Sequence, residues 1–209
     1  MGLLDFLSGV EGLRKTKSIR HNGKRLSEIL EAHQLHFQGK GGTRADLSGA
    51  DLRLADLQQA NLTGAILEGA NLEGADLRKS KLVRANFSGA KLRGADLRNS
   101  DLTESMFPGA DLTEAKASGI EFFRCDLAGA NFSRANLRNA NFRQANIKGA
   151  RFEGADMGVT ILRETDLEGV DLSGVDLTTT LMPRGYQSPS GGHPGHSDAS
   201  KAATFGKDH

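Results

Sequence analysis

The chain has 209 residues, a formal net charge of +1 and 25% charged residues. Residues 1–43 carry a charge of +3, residues 44–182 carry −3 and residues 183–209 carry +1, so charge alone predicts neither a nucleic-acid nor a membrane partner. No run of about 18 apolar residues occurs, which excludes a membrane-spanning helix, and the single cysteine, Cys125, excludes an intrachain disulfide. No signal peptide is apparent, so we expect a soluble, cytoplasmic protein.

Residues 1–25 form an amphipathic and basic N-terminal arm. An apolar stripe at helical spacing is followed by six basic residues without an intervening acid. One interpretation is that the arm is a helix that docks on a partner protein or on an acidic membrane surface. The alternative is that it is a mobile tail or a second piece of the cap. Asn22-Gly23 predicts a turn at its end. The docking residues would be Leu3, Leu4, Phe6, Leu7, Val10, Leu13, Arg14, Lys15 and Lys17.

Residues 26–43 predict a capping helix and a loop. One helical face over residues 26–37 collects Leu26, Ile29, Leu30, His33 and Phe37, and the glycines at 39–42 end the helix. We expect this helix to cover the first repeat, because an open β-helix end is an unpaired sheet edge that promotes aggregation. His33 and His36 lie three residues apart, but no third ligand is evident, so we predict no metal site.

From Ala45 the sequence repeats every five residues for 28 units. The unit begins Ala45-Asp46-Leu47, and its third residue, which we call the centre, is Leu in 18 units and Phe in six. The first residue is Ala in 18 units, and the second is Asp or Asn in 19. The first and third residues point to the same side of an extended segment, so they predict the interior, while Asp and Asn bond to nearby backbone groups at the corners.

Glycine sets the number of units in one coil. The last residue of the unit is Gly at every twentieth position from 49 to 169, so four units make one coil, and the coil is four-sided. Phe87 and Phe107 are also 20 residues apart, as are two other Phe pairs, and we expect these rings to stack. We expect the glycine corners to need a positive φ and the other corners to use a different turn.

The units resemble the A(D/N)LXX motif of the pentapeptide repeat family over residues 45–182, and we expect the pentapeptide-repeat β-helix to span residues 44–182. The resemblance implies an all-β solenoid, a right-handed quadrilateral β-helix of about seven four-sided coils, with an N-terminal helical cap. It also implies that the protein is not an enzyme and needs no cofactor or metal, because members of this family as a rule have no enzymatic activity.

Residues 183–209 are rich in Pro, Gly, Ser and His, and we expect a disordered tail. Such a tail leaves the last coil without an evident cap. Some members of the family dimerise through this end, so we expect a homodimer through the C-terminal coil as one form of the protein.

The sequence contains no nucleophile and base pair, phosphate-binding loop or zinc-ligand spacing. The repeated Asp residues hold a structural position, and Cys125 takes an inward position where Ala is usual, so we expect it to be buried and inert. Departures from the repeat are the remaining features. Four of them predict an apolar contact patch near one corner, with sequence drift as the alternative: Ile66, Val83, Met106 and Phe123.

Three functional hypotheses follow. The first is a non-catalytic scaffold for protein–protein interaction with an unknown partner. The second, implied by the family resemblance, is a DNA mimic that modulates or protects a type II topoisomerase; the near-neutral charge disfavours it. The third is a peripheral membrane adaptor that attaches through residues 1–25 and is compatible with the first.

Overall fold

The computed structural model describes residues 12–186 of the chain. Strand β1, Arg20–His21, pairs antiparallel with β2, Lys24–Arg25, and helix α1 follows at Leu26–Phe37. The predicted turn between the strands is confirmed, because Asn22 and Gly23 have φ of 47° and 79° and reverse the chain. At the start of α1, the Arg25 N–H donates to the Glu28 carboxylate at 2.9 Å, which satisfies a backbone donor at the helix end.

The rest of the described chain winds into a β-helix in which successive coils are joined by parallel β-bridges, each only one residue long. The bridges inside the repeat join residues 20 apart, as in Asp46 with Ile66 and Ile66 with Asn86. Hydrogen bonds run in both directions between bridged coils. The Leu47 N–H donates to the Ile66 carbonyl of the next coil at 2.7 Å, and the Ile66 N–H donates to the Ala45 carbonyl of the preceding coil at 3.0 Å. The backbone hydrogen bonds therefore confirm that one coil contains twenty residues.

Four sides result, and we name them by the first unit of each. The glycine side holds the units that begin at residue 45 and every twentieth residue after it. The second, third and fourth sides hold the units that begin in the same way at residues 50, 55 and 60.

The interior is filled by the centres. From the Leu47 to the Leu162 unit every centre is buried, including the small Ala117, which lies beside the unusually large Ile120. The predicted stacking of Phe rings is confirmed: ring centroids are 4.6 Å apart for Phe87 and Phe107 with an interplanar angle of 2°, and the pairs Phe122–Phe142 and Phe132–Phe152 stack likewise. Burial of each Leu or Phe centre contributes roughly 1.5–3 kcal/mol before chain entropy is subtracted.

All four kinds of corner use the same turn, so the expectation of a different turn at corners without Gly is wrong. The centre carbonyl accepts the N–H three residues on, and the last residue of the unit has a positive φ, as in a type II turn. Leu54, Lys79 and Val159 adopt φ of 54°, 59° and 59°. The amides of Leu54 and Lys79 continue the hydrogen-bonded ladder, as Leu54 N–H does to the Glu73 carbonyl at 2.9 Å, and the ladder fixes the backbone there regardless of side chain. The Val159 N–H donates instead to the Thr179 hydroxyl of the next coil at 3.0 Å.

At the N-terminal end, α1 and the segment before it cover the first coil. Leu26 and Ile19 are fully buried against the column. Arg14 forms a parallel bridge with Ala55 and so extends the third side by one floor. His33 is also buried, and its Nδ1 accepts the N–H of Ala45, the first residue of the repeat, at 3.0 Å.

At the C-terminal end, the ladder is incomplete within the described residues. Asp171 and Leu181 still bridge to the coil below, but Asp166 and Asp176 form no such bridge. Centres that are buried elsewhere are half-exposed here: Leu167, Leu172 and Leu177. Tyr186 packs against this end of the core.

Candidate interaction surfaces

The outward columns of the four sides are the surfaces available for binding. Asp and Asn in the second position of the unit accept the N–H two residues on, as Asp46 does from Ser48 and Asn61 from Thr63, at 3.0 and 3.1 Å. This confirms their predicted structural role. The carboxylates of the repeat therefore brace the corners and do not converge on a common point.

The third side carries a ladder of Asp and Arg. Arg78 forms a bidentate pair with the buried Asp76 and also lies 3.8 Å from Asp96, which pairs with Arg98 at 2.6 Å. Burial alone would raise the pKa of Asp96, but the hydrogen bonds from Arg98 outweigh it and the pKa is lowered. These charges are thus satisfied within the protein.

The second and fourth sides also pair their charges between coils. Glu114 accepts from Arg93 and Arg134, both at 3.1 Å, on the second side. On the fourth side, Glu104 lies between Arg84 and Arg124, at 2.7 and 3.9 Å. The pairs are largely exposed, so each contributes at most about 1 kcal/mol.

The four residues of the predicted apolar patch fall on two neighbouring sides. Ile66 and Met106 lie on one ladder of the glycine side, with Asn86 between them. Val83 and Phe123 precede the corner on the fourth side. In chain order, the charged column of Arg84, Glu104 and Arg124 separates the two pairs, and the Arg124 guanidinium lies over the Phe123 ring, 4.9 Å from its centroid. Met106 is the most exposed of the four, at 42%.

The predicted docking arm is described only in part. Leu3, Leu4, Phe6, Leu7 and Val10 lie outside the described residues. Leu13 is half-buried, Arg14 lies 3.4 Å from Asp51, and the Lys15 ammonium lies 3.7 Å from the Asp56 carboxylate. Lys17 is exposed. The backbone bridge of Arg14 to Ala55, which places this part of the arm against the first coil, left no signal in the sequence pattern.

Reactive chemistry is sparse in the part of the chain that the structure describes. Cys125 is buried, its thiol donates to the Leu102 carbonyl, and burial raises its pKa to about 12, so it is a poor nucleophile. Between residues 12 and 186, no group of three or more His, Cys, Asp or Glu side chains is arranged to hold a metal ion. No helix in this range is long and apolar enough to cross a membrane.

The sequence model of the family described as "Pentapeptide repeats", which contains eight copies of the repeat, matches residues 43–79, 80–116 and 120–158. The chain belongs to the pentapeptide repeat family. The match covers more than half of the chain and agrees with the twenty-residue ladder seen above. No curated protein sequence gives a significant match.

Several solved structures are similar to this family member. HetL, a pentapeptide repeat protein involved in heterocyst differentiation regulation from the cyanobacterium Nostoc sp. strain PCC 7120, is 32% identical, with 69% of this chain and 75% of HetL covered and a TM-score of 0.43. Trypsin-treated QnrB1, a plasmid-mediated fluoroquinolone resistance protein, is 23% identical, covering 66% of this chain and 78% of that chain, with a TM-score of 0.48. Rfr23 from the cyanobacterium Cyanothece 51142 is 27% identical over 58% of this chain and 90% of its own, with a TM-score of 0.28.

Proposed function

We propose that the protein is a non-catalytic scaffold that binds another protein through one side of a right-handed column of about seven coils. The observation that carries this proposal is the division of the repeat into a sealed interior and four open sides. The centres and the small first residues are buried along nearly the whole column, so the groups that the middle coils present to a ligand belong to outward columns.

The rigidity of the column supports binding in preference to catalysis. In the middle coils, the outward side chains stand on a backbone that is hydrogen-bonded to the coils above and below. Such a surface loses little conformational freedom when a partner docks, which favours affinity from a flat contact. Catalysis, in contrast, needs a concave site with converging titratable groups, and the charges described above are paired along ladders instead.

Photo-crosslinking from one matched position on each side tests this function. A photoreactive amino acid replaces the residue that directly follows the centre of one unit on each side. These residues are Ser88 on the glycine side, Ser133 on the second, Ser118 on the third and Thr103 on the fourth. Expressed in the cells of origin, the full chain should crosslink to one protein from one side or from two neighbouring sides. Absence of a protein adduct from all four positions would overturn the scaffold function.

The C-terminal coil supports a homodimer as a further part of this proposal. Leu167, Leu172 and Leu177 are only half-buried, and in the described part of the chain Asp166 and Asp176 lack the bridges that other coils form. A second copy of the same end would cover both the apolar surface and the sheet edge. Sedimentation at tens of micromolar protein should show a dimer that Leu177→Lys dissociates, and a monomer before the substitution would contradict it.

The alternatives receive less support. A DNA mimic needs a strongly acidic column, whereas residues 44–182 carry a net charge of −3, and the likeness to QnrB1 at 23% identity concerns the fold alone. Failure to alter gyrase supercoiling at micromolar protein would exclude it. Membrane attachment through residues 1–25 remains compatible with a scaffold, and liposome flotation with and without these residues decides it.

A further inference from the structure

We infer that the partner docks on the glycine side, and that its contact surface is a basic protein surface that places an apolar group against Met106. This inference rests on the scaffold function proposed above and names the side of the column and the chemistry of the partner.

The glycine side is an open and flat sheet face. A Cβ placed on Gly69, Gly89 or Gly109 would meet no atom within 4 Å, so no described part of the chain covers this column. The neighbouring column is also short, with Ser88, Pro108 and Ala128 in successive coils. A partner backbone can therefore approach this side more closely than it can approach the sides whose corners carry Arg and Glu.

The middle of this side is uncharged and carries an apolar anchor. Met106 is 42% exposed and bridges to Asn86 below it, which in turn bridges to Ile66. No charged residue occurs in the two units that begin at Ala85 and Ser105. Met is enriched in the cores of protein interfaces, where its flexible side chain adapts to the opposing surface.

The charges on this side are mainly acidic. Between residues 45 and 182 the glycine side holds five acids and one base, whereas the second side holds six and five, the third five and five, and the fourth four and five. The five acids are Asp46, Glu68, Asp126, Asp166 and Glu168. The one base, Lys148, is already paired with Glu168 at 3.2 Å.

These carboxylates include two that form no ion pair within residues 12–186, as Glu73 and Glu153 of the second side also form none. Among the described residues, no ion pair joins Glu68 or Asp126, the two acids that flank the uncharged centre, to a basic side chain. Asp126 accepts a hydrogen bond from the uncharged Asn146 amide at 2.9 Å. An incoming Lys or Arg can therefore pair with either acid without breaking an existing ion pair.

Charge complementarity selects among the possible occupants. A second copy that presented the same side would bring acids against acids, and nucleic acid would bring phosphates against them, so both are disfavoured. A protein with Lys or Arg around an apolar centre meets both features of the glycine side. Its association should be fast at low salt and weaken as ionic strength rises.

The test uses the protein captured by the Ser88 crosslink, purified and titrated against the full-length chain. Met106→Lys should weaken its binding at least about tenfold, because it removes the anchor and adds a like charge. Lys81, Lys91 and Lys116 already occupy the same position of the unit, so the substitution fits the fold. Val159→Lys is the matched control: Val159 is 45% exposed on the third side, and Lys79 holds the same position there.

A second pair of variants tests the charge. Glu68→Lys should weaken binding severalfold and reduce its dependence on sodium chloride, whereas Glu153→Lys, at the same position of the unit on the second side, should leave binding unchanged. Circular dichroism of each variant checks that the column is intact.

The outcomes separate the two proposals. Crosslinks from Ser133, Ser118 or Thr103 but not from Ser88 would overturn the choice of the glycine side and leave the scaffold function standing. Equal loss of binding by Met106→Lys and Val159→Lys, or binding that is insensitive to salt, would also overturn it. The absence of crosslinks from every side would remove the scaffold function itself.

Discussion

The two ends of the β-helix differ in how well the rest of the described chain covers the terminal coil. At the N-terminal end, Leu26 and His33 of α1 are buried against the first coil, and Arg14 continues its ladder. At the C-terminal end, the ladder formed by residues 12–186 lacks bridges at Asp166 and Asp176, and Leu177 is half-exposed. The middle coils are nearly identical, so we expect the local stability of a repeat to depend on what covers its neighbour-free edge.

The largest difference between the ends should appear when one buried Leu is removed at each. Leu26→Ala should destabilise the protein by about 2–5 kcal/mol, because Leu26 is fully buried and its loss leaves a cavity in the cap. Leu177→Ala removes the same atoms from a half-exposed site and should cost about 1 kcal/mol. Urea unfolding of both variants measures the difference, and equal losses of unfolding free energy would contradict a well-covered N-terminal end.

The second prediction concerns pH and the N-terminal end alone. Nδ1 of His33 accepts a hydrogen bond, so the ring proton lies on Nε2. Nε2 is buried and makes no hydrogen bond of ordinary geometry among the described residues, but the nearby Thr63 backbone favours a proton on this atom. Burial, with His36 and Arg44 nearby, lowers the pKa of His33 below its ordinary value of 6.5. Protonation of Nδ1 would break the bond from Ala45.

The sign follows from proton uptake. Below pH 6.5 the unfolded cap binds a proton that the folded cap does not, so cap stability is full above this pH and falls as the pH is lowered, by at most about 1.4 kcal/mol per unit. Hydrogen exchange of the α1 amides, corrected for the intrinsic pH dependence of exchange, measures the fall. His33→Gln should abolish it, whereas His36→Gln at an exposed position should only reduce it, because burial is the larger cause of the His33 shift. A fall that persists in His33→Gln would assign the effect to another group.

The smallest prediction compares two corners without Gly, one near each end. Val159 is β-branched and has φ of 59°, a conformation that costs such residues most. Val159→Gly should stabilise the protein by about 0.5–1 kcal/mol at the C-terminal end. Leu54→Gly should gain less, because the Leu54 side chain lies against Gly74, 2.8 Å from where a Cβ would stand, and that contact is lost. Thermal unfolding ranks them, and a loss of stability in Val159→Gly would refute strain at this corner.

Sequence reasoning predicted the parts of the fold that repeat. The glycines from 49 to 169 and the Phe87–Phe107 spacing indicated a coil of twenty residues before any bridge was seen, because both follow from side-chain size at fixed positions. The positive φ of Leu54 and Lys79 was not predicted, because the ladder imposes it on the backbone and the side chain contributes little.

The surfaces were harder to predict than the interior. The departures Ile66 and Met106 were found from the sequence, but the Arg84–Glu104–Arg124 column that separates them from Val83 and Phe123 depends on how charges from three coils stack. The bridge from Arg14 to Ala55 pairs two segments with unrelated sequences, so no periodicity revealed it. Contacts between coils that do not repeat leave no pattern along the chain.

Residue-resolved hydrogen exchange along the whole chain tests the central claim most directly. A column of twenty-residue coils, covered at one end, predicts strong protection of the Ala45 and Leu67 amides, which bond to His33 and Asn86, and weak protection of the Leu167 and Leu177 amides, which lack a coil above them within the described residues. Protection that is uniform from end to end, or that is weakest at Ala45, would contradict this account.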